Sequence, residues 1–141
     1  MRFSLSKRIL ATRTPFLERK IELVRQSIKE YEGGIDASFN VYKTARAKED
    51  IGGMIGDLSR VAMYKTLKHV AEQELSLLEK VDSDEDWLRI KPQIARSMEW
   101  RQSGEARKVE SKAIQTLSSE YWSRCPKGDQ LPHEVLNVKV R

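Results

Sequence analysis

Hydrophobic residues recur at helical spacing along most of the chain. The clearest run steps by four, three, four and three residues and comprises Leu17, Ile21, Val24, Ile28 and Tyr31. Thr14 followed by Pro15 is typical of a helix start, because threonine caps and proline needs no N–H partner at the first helical position. Gly33 and Gly34 are typical of a helix end. The pattern therefore predicts a helix over 15–32.

A weaker apolar stripe and then a group of glycines follow that helix. Asp36 is a candidate cap for a second helix over 37–50, where apolar residues recur less regularly. The glycines that come next each lower helix propensity by about 1 kcal/mol relative to alanine; they are Gly52, Gly53 and Gly56. We therefore predict a hinge or tight turn at these glycines.

The second half of the chain predicts several more helices. Apolar residues recur at helical spacing over 57–81. Ser83 and the acidic residues directly after it are typical of a helix start, because negative charge complements the helix dipole there. Pro92 kinks or restarts this helix. Residues 93–123 then form one or two helices, with Gly104 as the candidate break.

The last residues have a different pattern. Cys125 and Pro126 are followed by another glycine, and proline and glycine together end the helical region. Near the C-terminus apolar and polar residues alternate as they do in a strand, the apolar ones being Leu136, Val138 and Val140. This tail either pairs with the sheet edge of a partner or is loosely ordered.

These patterns predict an all-α fold with one helical domain over 1–141. We expect a small bundle of four to six helices, with a basic N-terminal arm over 1–14 and a short extended C-terminal tail over 125–141. Its spine is an antiparallel hairpin of the helices over 15–32 and 57–81. Apolar residues make up 39% of the chain and charged residues 33%, which suits a thin core between wide solvated faces.

Composition also bears on where the protein works. Cys125 is the one cysteine and cannot form an intramolecular disulfide, so we predict a reducing compartment and a cytoplasmic location. No apolar run approaches the roughly 20 residues of a membrane-spanning helix, so we expect no membrane partner. The first residues are basic and without acids, as in some transit peptides, but we interpret them as a basic amphipathic arm.

The sequence contains no recognisable set of catalytic or metal-binding residues. Cys125 with His133 is the only nucleophile–base candidate, and no local signature supports it. His69 and Glu72 could supply two metal ligands, whereas a site needs three or four. The glycine group lacks the lysine and hydroxyl of a phosphate-binding loop. We therefore predict a protein that is not an enzyme and uses no cofactor and no metal.

Clustered basic residues make nucleic acid a candidate partner. The net charge is +5, and both ends of the chain are basic. The predicted contacts are four residues of the arm and three on one helical stripe, namely Arg2, Lys7, Arg8, Arg13, Arg101, Lys108 and Lys112. Trp100 beside Arg101 could stack on a base. Acidic residues interrupt the stripe, so sequence-independent nucleic-acid binding is an alternative function.

Three tryptophans make protein binding the leading prediction. Tryptophan is enriched at interface hot spots, and the candidate anchors are Trp87, Trp100 and Trp122. The seam from Leu17 to Tyr31 packs within the chain or against a second copy. We therefore predict a non-catalytic helical interaction protein that acts as a small subunit or adaptor in a protein or nucleoprotein assembly. A small inhibitor that blocks a partner's functional surface needs the same kind of face and is a further alternative.

Overall fold

The computed structural model describes the backbone of residues 4–124 and the side chains of residues 15–123. Within that part of the chain there are four helices and no strand: α1 (Ser4–Ala47), α2 (Ile51–Glu79), α3 (Asp84–Gln102) and α4 (Ala106–Arg124). The predicted all-α class is confirmed. None of the described helices is long and apolar enough to cross a membrane. The predicted C-terminal tail over 125–141 and the side chains of the predicted arm over 1–14 lie outside this description.

Helix α1 is much longer than the helix predicted over 15–32. Pro15 lies inside it, and so do Gly33 and Gly34, which were expected to end it. Beyond the glycines the apolar stripe continues on the side of α1 that faces the core, and its buried members are Ile35, Phe39, Tyr42 and Ala45. Burying this stripe outweighs the helix propensity that two glycines lose. The separate helix over 37–50, capped by Asp36, was therefore a wrong prediction.

The reversal between α1 and α2 lies just before the predicted glycine hinge. Glu49 has a φ of 56°, and Asp50 caps α2 by accepting a hydrogen bond from the Gly53 N–H at 3.0 Å. A Cβ atom on Gly53 would collide with the Asp50 carboxylate, so glycine leaves room for this cap. The glycines predicted to form the hinge are instead in the first turns of α2, and that placement was wrong.

Two predicted boundaries in the second half are confirmed, and one is not. The Ser83 hydroxyl caps α3 by accepting a hydrogen bond from the Asp86 N–H at 3.1 Å. Interaction with the Asp82 side chain, together with the hydrogen bond that the Asp82 N–H donates to Asp86 Oδ2 at 3.3 Å, lowers the pKa of the Asp86 carboxyl to about 2, which keeps negative charge at this helix start. Gly104, with a φ of 86°, separates α3 from α4. However, α3 continues through Pro92 instead of restarting there.

Helix α2 is the central helix of the described chain. Its most extensive interface is with α1, which runs antiparallel to it and confirms the predicted spine. Both α3 and α4 also run antiparallel to α2, one after the other. Ile94 of α3 packs with Leu78 near the end of α2, whereas Leu117 of α4 packs with Met54 near its start. The two short helices thus lie end to end along α2 as a third layer beside α1 and α2, and the break between them is at Gly104.

The core is divided between the two ends of this arrangement. The cluster formed with α3 consists of Leu17, Val24, Ala71, Leu78, Val81, Ile90 and Ile94. The other members of the predicted seam, Ile21, Ile28 and Tyr31, are partly buried against this cluster. The cluster at the other end consists of Ile35, Phe39, Tyr42, Ala45, Met54, Leu58 and Val61. Ile55 and the fully buried Tyr121 attach α4 to this second end. Because α1 and α2 pass through both clusters, they join the two ends.

Candidate interaction surfaces

Two of the three predicted tryptophan anchors are partly buried against the body of the protein. Trp87 packs on the α3 end of the core, and its ring meets that of Phe16 edge to face at a centroid distance of 5.3 Å. Lys20 Nζ lies 5.8 Å from the centre of the Trp87 ring. Trp100 is also half-buried on α3. Both side chains are therefore more buried than that of Trp122.

Trp122 is the most exposed of the three tryptophans. Its side chain is 55% exposed, although the adjacent Tyr121 is completely buried. The two rings meet edge to face with their centroids 5.3 Å apart, so the buried tyrosine gives the exposed indole a fixed neighbour. Ile114 of the same helix is also exposed. Helix α4 therefore presents large apolar side chains to solvent.

Arg101, predicted to contact nucleic acid, is directed into the protein. Its side chain is 5% exposed, and its guanidinium forms a two-pronged ion pair with the fully buried carboxylate of Glu74. It also donates a hydrogen bond to the Tyr31 hydroxyl at 3.0 Å. Burial acts to lower the pKa of the Arg101 guanidinium, but the hydrogen bonds to Glu74 and Tyr31 outweigh it and raise that pKa. The Arg101 guanidinium thus links α3 to α2 through Glu74 and to α1 through Tyr31.

This network was not among the features predicted from the sequence, although one residue indicates it. Glu74 falls in phase with the apolar stripe of α2, between Ala71 and Leu78. An acidic residue at a core position needs a buried partner, because an isolated buried charge is strongly unfavourable. The identity of that partner depended on how α3 packs, which the sequence pattern does not specify.

The other predicted nucleic-acid contacts are distributed over different surroundings. Lys108 is exposed on α4 and pairs with Glu105 at 3.0 Å. Lys112 is exposed at a groove beside α2. The side chains of the arm, which belong to Arg2, Lys7, Arg8 and Arg13, lie outside the described part. The described residues of the predicted stripe therefore do not share one free surface, because Arg101 is engaged in the core.

An apolar groove runs between α1 and α4 above the start of α2. It has a volume of about 480 Å³ and is open rather than enclosed. Among the described side chains, Lys65 and Lys112 are the only charged residues of its lining and Thr116 is the one neutral polar residue. The apolar members are Phe39, Leu58, Val61, Ala62, Val109, Ala113 and Leu117. The groove is not predictable from a local sequence pattern, because it is formed by three helices distant in sequence.

The candidate catalytic and metal residues are not assembled in the part that the structure describes. His69 and Glu72 are exposed on α2, and no group of three metal-ligating residues occurs among the described side chains. Cys125 and His133 lie outside the described residues. Comparison of the chain with protein-family models, curated proteins and solved structures finds no match. Its function is therefore inferred from its own residues.

Proposed function

We propose that this chain is a non-catalytic helical interaction protein, acting as a small subunit or adaptor in a protein or nucleoprotein assembly. The exposure of Trp122 is the observation that carries the proposal. An indole that is 55% exposed on a helix anchored by the buried Tyr121 has a large apolar area in a fixed place. Tryptophans of this kind are the side chains that most often dominate binding energy at interfaces.

Affinity capture with the tagged full chain tests this proposal. The bait is exposed to a lysate of the source cells, and retained proteins are quantified by mass spectrometry. We expect the wild type to retain a specific protein partner. The amount retained by Trp122→Ser should be lower by roughly tenfold or more, because truncating a hot-spot side chain typically costs at least about 2 kcal/mol of binding. Val41→Ser is the matched control, since Val41 is equally exposed but lies on α1.

The results separate the general proposal from the role of Trp122. A chain that is monomeric by light scattering and retains no partner contradicts the proposed function. A partner retained equally by the wild type and by Trp122→Ser leaves the function in place and removes Trp122 from the interface.

Helix α4 also supports direct nucleic-acid contact as a second candidate function. Arg107, Lys108 and Lys112 are exposed on the helix that carries the exposed Trp122. Sequence-independent binding of single strands uses basic side chains together with exposed aromatic rings. Light scattering with a generic oligonucleotide tests this: a complex at low salt must dissolve as salt rises. No complex at low salt contradicts it.

A further inference from the structure

The described helices leave one position of a helix bundle open. Helices α1 and α4 both pack on α2, while their contact with each other is at most marginal. The space between them is the groove floored by Leu58, Val61 and Ala62. A helix lying in this groove along α2 would complete a four-helix bundle over this end of the protein. Its docking would also remove apolar surface from water. Such burial contributes the main favourable part of the free energy in most protein association.

The charges of the groove indicate which kind of helix fits. Lys65 from α2 and Lys112 from α4 are the only charged residues that line it within the described part of the chain, and both are exposed. Lys65 Nζ lies 5.9 Å from the centre of the Phe39 ring, which places this ammonium group beside the α1 wall. Two cations at one apolar groove attract an acidic occupant and disfavour a basic one. Acidic side chains at the edges of an apolar helix face match this pattern.

We propose that the groove between α1 and α4 is the docking site for an acidic amphipathic helix of a partner protein. The apolar face of that helix covers the partly exposed lining residues Ala62, Val109 and Leu117, and its carboxylates pair with Lys65 and Lys112. This inference rests on the proposed function as an interaction protein and adds the site and the chemistry of its partner. Of the described residues that line the groove, Thr116 is the one neutral polar side chain, so they offer few groups that would orient a small metabolite.

The probe for this site is a pair of synthetic peptides about three heptads long. One has leucine at the heptad core positions and mainly glutamate elsewhere, and the other has lysine in place of every glutamate. Each carries a fluorophore, and its binding to the full chain is followed by anisotropy. We expect the glutamate peptide to bind at least roughly tenfold more tightly than the lysine peptide at low salt. The difference shrinks as salt screens the charges.

Charge-reversal variants locate the binding. Lys65→Glu combined with Lys112→Glu is expected to weaken binding of the glutamate peptide by roughly tenfold or more. The matched control combines Lys91→Glu with Lys108→Glu, because both lysines are exposed and neither lines the groove. This control carries the same change in net charge, so a general electrostatic effect would appear in both double variants.

A steric pair tests the groove without changing its charge. Ala113→Trp fills the groove and is expected to reduce binding of the glutamate peptide by roughly tenfold or more, whereas Ala95→Trp, at an exposed position of α3, leaves binding unchanged. Circular dichroism verifies that each variant is folded. Equal binding of the two peptides, or equal losses in the groove and control variants, overturns this inference. A partner captured by the wild type would still uphold the proposed function in that case.

Two other occupants have their own readouts. A concentration-dependent dimer in light scattering that Ala113→Trp abolishes would assign the groove to a second copy of this chain. Displacement of the glutamate peptide by dodecanoate at lower concentrations than the unlabelled peptide would assign it to a lipid. Either result overturns the assignment to a partner helix.

Discussion

Glu74 and Arg101 place a complete ion pair among apolar side chains. Ala71 and Leu78 lie one turn to either side of Glu74 on α2, and both belong to the core. The attraction between the charges is largely offset by the cost of removing them from water. The pair therefore adds little net stability over apolar residues of the same size, but either partner left alone is strongly destabilising. Its main effect is on which side chain of α3 must face α2.

Replacing Arg101 by methionine should show that one buried charge left alone costs much more stability than the intact pair contributes. We expect Arg101→Met to lower the free energy of unfolding by about 3–5 kcal/mol, because the Glu74 carboxylate remains buried without its cation. The double variant Glu74→Leu, Arg101→Met should recover most of that loss. Urea unfolding measures both. Arg25→Met is the control, because Arg25 pairs with Glu79 at 3.1 Å in an exposed position and should cost only about 0–1 kcal/mol.

If Arg101→Met lowered the free energy of unfolding no more than Arg25→Met does, the result would contradict this account. So would a double variant that is less stable than Arg101→Met alone.

Within the long helix α1, two adjacent glycines have different surroundings. A Cβ atom on Gly33 would meet no heavy atom within 4 Å, whereas one on Gly34 would come within 2.7 Å of the Tyr64 ring of α2. Gly33 thus only lowers the helix propensity of α1. The second allows α1 to approach α2 closely at the middle of their interface.

Alanine substitutions should separate these two roles. We expect Gly33→Ala to raise the free energy of unfolding by about 0.5–1 kcal/mol, because alanine loses less backbone entropy in a helix. Gly34→Ala gains the same helix propensity, but shifting the Tyr64 ring costs about 1–3 kcal/mol, so the free energy of unfolding should fall by up to about 2 kcal/mol. Urea unfolding of the two variants checks both signs. If both substitutions were stabilising, the close approach at Gly34 would have no energetic importance.

At the scale of the whole molecule, two core clusters share the same two long helices. The cluster with α3 and the cluster next to α4 have no buried residue in common, yet α1 and α2 contribute to both. Continuous helices couple the ends, since loss of either cluster leaves half of α1 and α2 with an exposed apolar stripe. We therefore expect the described part of the chain to unfold as one cooperative unit.

Core truncations at the two ends test this expectation. Ile94→Ala in the first cluster and Leu58→Ala in the second should each cost about 2–5 kcal/mol. Their effects should add to within about 0.5 kcal/mol, as expected for sites without shared partners. Urea unfolding followed by tryptophan fluorescence and by circular dichroism should give coincident transitions. Transitions that separate in either variant would mean that the two ends unfold independently.

The local sequence was sufficient for features that depend on near neighbours. The helical form of the seam from Leu17 to Tyr31 follows from its period of four and three residues, which is a property of one helix. The sequence left open whether this seam packs within the chain, as it does, or against a second copy. Ser83 begins α3 and Gly104 separates α3 from α4, because capping and positive φ are decided within one turn. The all-α class follows from the same patterns.

Only the tertiary structure decided the features for which contacts between distant segments override the conformation that the local sequence favours. Gly33 and Gly34 remain helical because the stripe beyond them, from Ile35 to Ala45, is buried against α2. Arg101 faces Glu74 rather than solvent because of how α3 packs. The groove with Lys65 and Lys112 exists only once three helices are assembled. A period identifies the apolar face of a helix, but the partner of that face, and any gap left beside it, depends on packing between residues far apart in sequence.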